Sequence, residues 1–225
     1  MDKMVLAFEG VDGTGKTTLI RLLSKWLKKY AGIRTKPRFK LKIFNSVNTA
    51  SIRVGNKLID VRKSERDVVS QTLLFLSALR RVSWDCLRLS NDYHVIMLDR
   101  FVATHYAYSE LIPPHRRAFC DSFTSLFYPH LCTPDVVILL TVNPNALSPQ
   151  RKTEVLEDVK SIPIFKKVQR RYVRFVIKHY PRRNRLILDT TSDSPKRTVY
   201  LVAKFLNRCF NLDIPKVYWK GRTTI

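Results

Sequence analysis

The spacing of apolar positions changes several times along the chain, and each change marks an element. Met4 to Phe8 is an unbroken apolar run, too short for a helix and suited to a buried strand. Leu19, Leu22, Leu23 and Trp26 then recur at helical spacing, predicting an amphipathic helix to about Tyr30 that Gly32 stops. Ile33 to Ile43 reads as a second strand, with Arg34, Lys36, Arg38, Lys40 and Lys42 at alternate positions. That alternation makes either a basic wall near a bound anion or a solvated face, and Pro37 argues for an edge or a break. Asn45 to Val54 reads as irregular or briefly helical.

Ser64-Glu65-Arg66-Asp67 resembles a helix-capping start, and Val69, Leu73, Leu76, Leu79, Val82 and Leu87 continue at helical spacing to about Leu89. His94 to Leu98 predicts a buried strand that ends in Asp99-Arg100. Arg100 to about Leu131 reads as two helices broken at Pro113-Pro114, and Asp135 to Val142 is the longest predicted strand. Asn145 to Lys160 is polar, basic and interrupted by Pro149, as a mobile flap would be. Phe165, Val168, Tyr172, Phe175 and Val176 mark one helix face, with Lys167, Arg170, Arg171, Arg174 and Lys178 opposite. That basic face suits solvent or a nucleic acid. Leu186 to Leu188 is a last strand, Thr198 to Phe210 a last helix, and residues 211–225 a tail.

Strands alternating with helices predict an α/β protein with a parallel sheet. A chain of 225 residues suits one such domain, expected over 1–210 with the flap at about 145–162. No apolar run is long enough to span a membrane and no signal-peptide pattern opens the chain, which predicts a cytoplasmic protein. The four cysteines have no metal-ligand spacing and are expected to be buried free thiols. A net charge of +23 repels itself and attracts phosphates, which is compatible with nucleotides, with nucleic acid or with a general basic bias.

The chemistry concentrates between the first strand and the first helix. Gly10-Val11-Asp12-Gly13-Thr14-Gly15-Lys16-Thr17 fits the pattern G-x-x-x-x-G-K-[ST], and Thr18 follows it. Three of the six glycines, Gly10, Gly13 and Gly15, lie in this one loop. Glycine lets bare amide groups approach phosphate oxygens, while the helix that follows points its positive end at the same anion. Lys16 adds a cation, and the Thr17 hydroxyl suits the Mg²⁺ that accompanies a nucleoside triphosphate. The pair Asp99-Arg100 closes a strand, where doubly wound sheets collect their ligands.

Two stretches together carry a family resemblance. Phe8 to Thr18 is similar to the phosphate loop of thymidylate kinases, and Asp99-Arg100-Phe101-Val102-Ala103-Thr104-His105-Tyr106-Ala107-Tyr108 resembles their D-R-Y-x-x-S-x-x-A-Y segment. The resemblance implies a P-loop nucleoside monophosphate kinase fold, with a five-stranded parallel sheet flanked by helices and a lid, in an enzyme that is usually dimeric. It would move the γ-phosphoryl group of ATP to dTMP with Mg²⁺. By the same resemblance Gly10, Gly13, Thr14, Gly15, Lys16, Thr17 and Thr18 would hold ATP, and Thr17 and Asp99 the metal. Arg100 would hold the acceptor phosphate and Asp12 the 3′-hydroxyl, while Thr104 and His105 would face the base and Tyr108 would crowd the ribose 2′ position. The family carries its catalytic arginine either in the phosphate loop or in the lid. Gly13 stands at the loop position here, so Arg151, with Lys152 beside it, is the expected cation.

Base recognition departs from the pattern. The family places an aromatic residue, matched by Phe75, to stack on thymine and an arginine one turn later, but this chain has Leu79 there. Either Arg80 or Arg81 takes over, or recognition has changed. The alternatives to a dTMP kinase are an acceptor shifted to dUMP or another pyrimidine monophosphate, and a nucleic-acid-binding protein on the same fold.

Overall fold

A computed structural model describes residues 3–30, 40–45, 51–54, 57–60, 68–89, 91–156, 159 and 161–212. Its centre is a five-stranded sheet. The strands are β1 (Met4–Glu9), β2 (Leu41–Asn45), β5 (Val95–Asp99), β6 (Val136–Thr141) and β7 (Arg185–Asp189). They lie in the order β2-β5-β1-β6-β7, and every pairing is parallel. Parallel neighbours need crossovers, and helices supply them: α1 (Lys16–Tyr30), α2 (Val68–Leu89), α3 (Val102–Tyr108), α4 (Pro114–Phe127), α5 (Pro149–Leu156) and α6 (Ile162–His179), while α7 (Pro195–Phe210) follows the last strand.

Strand parity divides the core into two layers. Met4, Leu6 and Phe8 of β1 pack with Leu19, Leu23 and Leu27 of α1 and with Val202 and Leu206 of α7. The alternate residues Val5 and Ala7 face the other way, into a larger cluster with Leu76, Leu79 and Val82 of α2 and Phe165, Val168, Tyr172 and Phe175 of α6. Both faces of β5 are buried, which is why its sequence is a continuous apolar run. Since β1 is flanked by the later strands β5 and β6, the chain leaves it at the switch point of the sheet, and the phosphate loop occupies that crevice.

Several expectations are corrected. Residues 51–54, read as irregular or helical, form β3 (Ser51–Val54), paired antiparallel with β4 (Lys57–Asp60). Strand β2 begins at Leu41, and of the five alternating cations only Lys40 and Lys42 are described; Arg34, Lys36 and Arg38 lie outside the described residues, as do Ser64 to Asp67. Pro149 does not interrupt the lid but starts its helix, where a missing N–H costs nothing. Arg171, assigned to the solvated basic face, instead turns inward: it donates to Asp121 Oδ1 at 2.6 Å, Ser109 Oγ at 2.9 Å and the Tyr106 carbonyl at 3.0 Å. Lys167, Arg170, Arg174 and Lys178 are exposed. The cysteines are free, with Cys86, Cys120 and Cys132 buried and Cys209 partly so. Among the described residues no helix is long and apolar enough to cross a membrane.

Candidate active site

The loop from Gly10 to Gly15 is shaped by what presses on it. Gly10 has φ +139°, and a β-carbon there would sit 2.4 Å from the Leu140 carbonyl oxygen of β6, so only glycine allows so close an approach. Gly13 has φ +74°, and a β-carbon there would meet Val155 Cγ2 of the lid helix α5 at 2.6 Å. Thr14 is buried; its hydroxyl donates to the Val11 carbonyl at 2.8 Å, and its own carbonyl accepts from Thr190 Oγ1 at 3.0 Å. Gly15 is exposed at the mouth of the loop, and Lys16, Thr17 and Thr18 form the first turn of α1.

Four charged residues converge beneath this loop. Lys16 donates to the Val11 carbonyl at 2.8 Å and lies 3.8 Å from Asp12 Oδ1, which is also in an ion pair with Arg100. A second guanidinium nitrogen of Arg100 reaches the Gly10 carbonyl at 3.5 Å, and the group stands 5.9 Å from the Tyr108 ring. Asp99 is buried, and burial raises its carboxyl above the ordinary range, against the pull of Lys16 and a hydrogen bond with Thr17. Two cations thus meet at Asp12 at the head of the sheet, with Asp99 beside them. Thr17 and Asp99 together offer one hydroxyl and one carboxylate to a cation, and no cluster of three or more His, Cys, Asp or Glu among the described residues makes a cage. Such a donor set fits Mg²⁺ held mainly by the phosphates of a nucleotide.

The acceptor side contains both matches and departures. His105 stacks on Phe75 at 4.7 Å with 18° between the rings. Burial holds its imidazole down at about 4, although Asp121 opposes this, and the buried Nε2 has no hydrogen-bond partner among the described residues. Tyr108 lies beside Arg100 and edge-on to Tyr172, with ring centres 6.3 Å apart. Thr104, expected to face the base, is instead buried with its hydroxyl engaged by Glu9 Oε2 at 2.6 Å and by Tyr172 at 3.0 Å. Arg80 and Arg81 are exposed. On a helix turning 100° per residue they lie roughly 140° and 240° round from Phe75, whereas Leu79, about 40° away, is buried. The structure therefore does not bring either arginine to Phe75.

The lid lies against the loop. Val155 and Val159 are fully buried, and Arg151 donates to the Thr191 carbonyl, after β7, at 3.1 Å. Lys152 is half-buried on the same helix. Sequence reasoning missed Val155, Thr190 and Glu9. For Glu9 a signal existed: it shares parity with Val5 and Ala7 on a strand covered on both sides.

Comparison with known proteins decides the family. The sequence profile described as "Thymidylate kinase" matches residues 8–196. The chain belongs to the thymidylate kinase family. It is 25% identical over 195 residues to a probable thymidylate kinase of Methanocaldococcus jannaschii, covering 86% of this chain and 90% of that protein. It is 25% identical over 229 residues to the thymidylate kinase of Mycoplasmopsis agalactiae, covering 97% of this chain and all of that one, 100%. The crystal structure of the thymidylate kinase of Ehrlichia chaffeensis superposes with a TM-score of 0.61 at 18% identity, covering 92% of this chain and 100% of that one, a likeness of fold. With the five parallel strands, this makes the architecture that of a P-loop nucleoside monophosphate kinase.

Proposed function

We infer that the protein is a thymidylate kinase in activity as well as in family, transferring the γ-phosphoryl group of ATP to dTMP with Mg²⁺. The observation that carries this reading is the convergence of Lys16, Asp12, Asp99 and Arg100 at the end of β1 and β5, in a chain whose profile match spans 8–196. The amides of the phosphate loop and Lys16 hold the donor phosphates. Arg100 holds the phosphate of dTMP, and Asp12 orients Arg100 and meets the sugar. Thr17 and Asp99 hold the metal, which when bound neutralises charge on the donor phosphates.

In the transfer, an oxygen of the dTMP phosphate forms the new P–O bond while the bond to the β-phosphate oxygen breaks, giving dTDP and ADP. A phosphate monoester has a second pKa near 6 and is mostly dianionic at neutral pH, so no side chain has to remove a proton. Catalysis then consists of alignment and charge neutralisation. A cation-rich site suits that task.

A coupled assay measuring ADP release across dTMP, dUMP, dCMP and dGMP tests the reading. dTMP is expected to give the highest kcat/KM, and a protein idle with every acceptor in the presence of MgATP would overturn it. A homodimer is part of the same proposal, supported by Trp84 and Leu87 on α2 and Leu126 on the neighbouring α4, which are 69%, 60% and 64% exposed. Trp84→Glu should shift the protein from dimer to monomer in sedimentation velocity, while a parent that already runs as a monomer removes this part.

A further inference from the structure

Glu9 ends β1 and is only 2% exposed. A carboxylate moved from water into an apolar core costs several kcal/mol unless its oxygens are bonded. Both are. Oε1 accepts from the Phe101 amide at 2.9 Å, and Oε2 accepts from the Thr104 hydroxyl at 2.6 Å, whose oxygen in turn accepts from Tyr172 at 3.0 Å. Phe101, Thr104 and Tyr172 lie outside the phosphate loop, whose first residue, Gly10, directly follows Glu9.

What lies between these contacts is Arg100. It is one of two non-glycine residues with positive φ among the described residues, at 68°. Left-handed backbone costs an ordinary side chain roughly 1–2 kcal/mol and persists only where the surroundings hold it. Two bonds hold it here: the Arg100 amide donates to the Phe8 carbonyl at 2.9 Å, and the next amide, Phe101, donates to Glu9. The N-cap residue Phe101 has no side-chain capping bond of its own, so α3 takes its first turn from the Glu9 carboxylate instead. The same turn sends the Arg100 guanidinium back over β1 to Asp12 and the Gly10 carbonyl.

We propose that Glu9 is a positioning residue for phosphoryl transfer, whose carboxylate clamps the left-handed turn at Arg100 and so aims this guanidinium at the acceptor phosphate. The proposal rests on the reading of Arg100 as the cation that meets dTMP. It assigns Glu9 no contact with substrate. Burial pushes the Glu9 carboxyl up to about 7 against the opposing pull of Thr104, Arg100, Phe101 and Lys16, so the charged form of the clamp prevails above that value. Glutamine keeps the size of the side chain and can still accept from the Phe101 amide, but its NH₂ group forces the Thr104 and Tyr172 hydroxyls to reverse and replaces the charge-assisted bonds with neutral ones, which weakens the clamp with little change in packing.

The test is a double-mutant cycle of Glu9→Gln with Arg100→Ala, read by dTMP kinetics and by calorimetric binding of dTMP and of a non-hydrolysable ATP analogue. Glu9→Gln is expected to lower kcat/KM for dTMP by about 10²-fold, as a misplaced reactive group does, with affinity for the ATP analogue within about threefold of the parent. In the Arg100→Ala background the same substitution should add less than about twofold, because the residue through which it acts is gone. Effects that multiply independently, an unchanged kcat/KM, or an equal loss of ATP affinity would each overturn the proposal. Should Glu9→Gln not fold, Tyr172→Phe in the same cycle carries the test. It removes the outermost bond and is expected to lower kcat/KM for dTMP several-fold in the parent but not in Arg100→Ala; equal losses in both would sink the clamp. A parent inactive on dTMP would instead count against the function itself.

Discussion

We propose Arg151 as the lid cation for the transferring phosphoryl group; its present partner is the Thr191 carbonyl at 3.1 Å. That bond to a neutral acceptor is exchangeable at small cost, whereas a developing charge on the phosphoryl oxygens would draw the guanidinium more strongly. We expect Arg151→Ala to lower kcat on the order of 10³-fold while KM for ATP moves only a few-fold. Initial-rate kinetics with both substrates varied decides it: a kcat within a few-fold of the parent would leave Arg151 as a tether between the lid and the loop after β7. Thr104 makes the opposite point at the same scale. Its sequence position suggested a base contact, but both hydrogen-bonding roles of its hydroxyl are used inside the protein, so Thr104→Ser should be tolerated far better than Thr104→Val.

At the scale of elements, the lid helix and the phosphate loop share one steric boundary. By the family resemblance Gly13 stands at the position where some members carry a loop arginine, and here the space beyond it belongs to Val155. Gly13→Ala would add a side chain at φ +74° and drive it into Val155, so it should weaken ATP-analogue binding by about tenfold, roughly 1.4 kcal/mol, within the range such strain stores. Val155→Ala in the same protein should restore part of that loss, because it removes the clash and not the backbone strain. Titration calorimetry on the two single variants and the double reads both parts, and no recovery would mean that the lid does not rest on Gly13 in solution. Elements of this kind were legible where one period dominated. The apolar runs of β1, β5 and β6 located the sheet, and the glycine cluster located the loop, because each follows from burial or backbone geometry alone. The hairpin β3-β4 was misread although Gly55-Asn56, a pair suited to two-residue turns, separates its strands in the sequence. Val155 was not legible from local pattern, since what fixes it is Gly13, far along the chain; strand parity marks Glu9 as buried, but its partners Phe101 and Thr104 are equally distant in sequence.

For the whole molecule, two buried groups impose opposite pH dependences on stability. His105 is held at about 4 against an ordinary 6.5, so between those values the unfolded chain binds a proton that the folded chain refuses, and stability rises with pH across that window. Glu9 is raised to about 7 from an ordinary 4.5, so between those values the folded chain keeps a proton that the unfolded chain has lost, and stability falls as pH rises. The windows overlap and have similar widths, so the two contributions nearly cancel, each worth roughly 3 kcal/mol over its full range. Asp99, also raised by burial, adds to the falling side. Removing one partner should expose the other. His105→Gln abolishes the rising contribution, so the variant should lose roughly 2 kcal/mol relative to the parent between about pH 5 and pH 6.5, beyond any constant offset from the lost stacking on Phe75. Glu9→Gln should change relative to the parent in the other direction, gaining as pH rises through the same interval. Urea unfolding midpoints at four or five pH values measure both slopes. A difference between His105→Gln and the parent that stays flat with pH would mean that this imidazole is not held neutral in the fold, and that its Nε2 finds in solution the partner it lacks among the described residues.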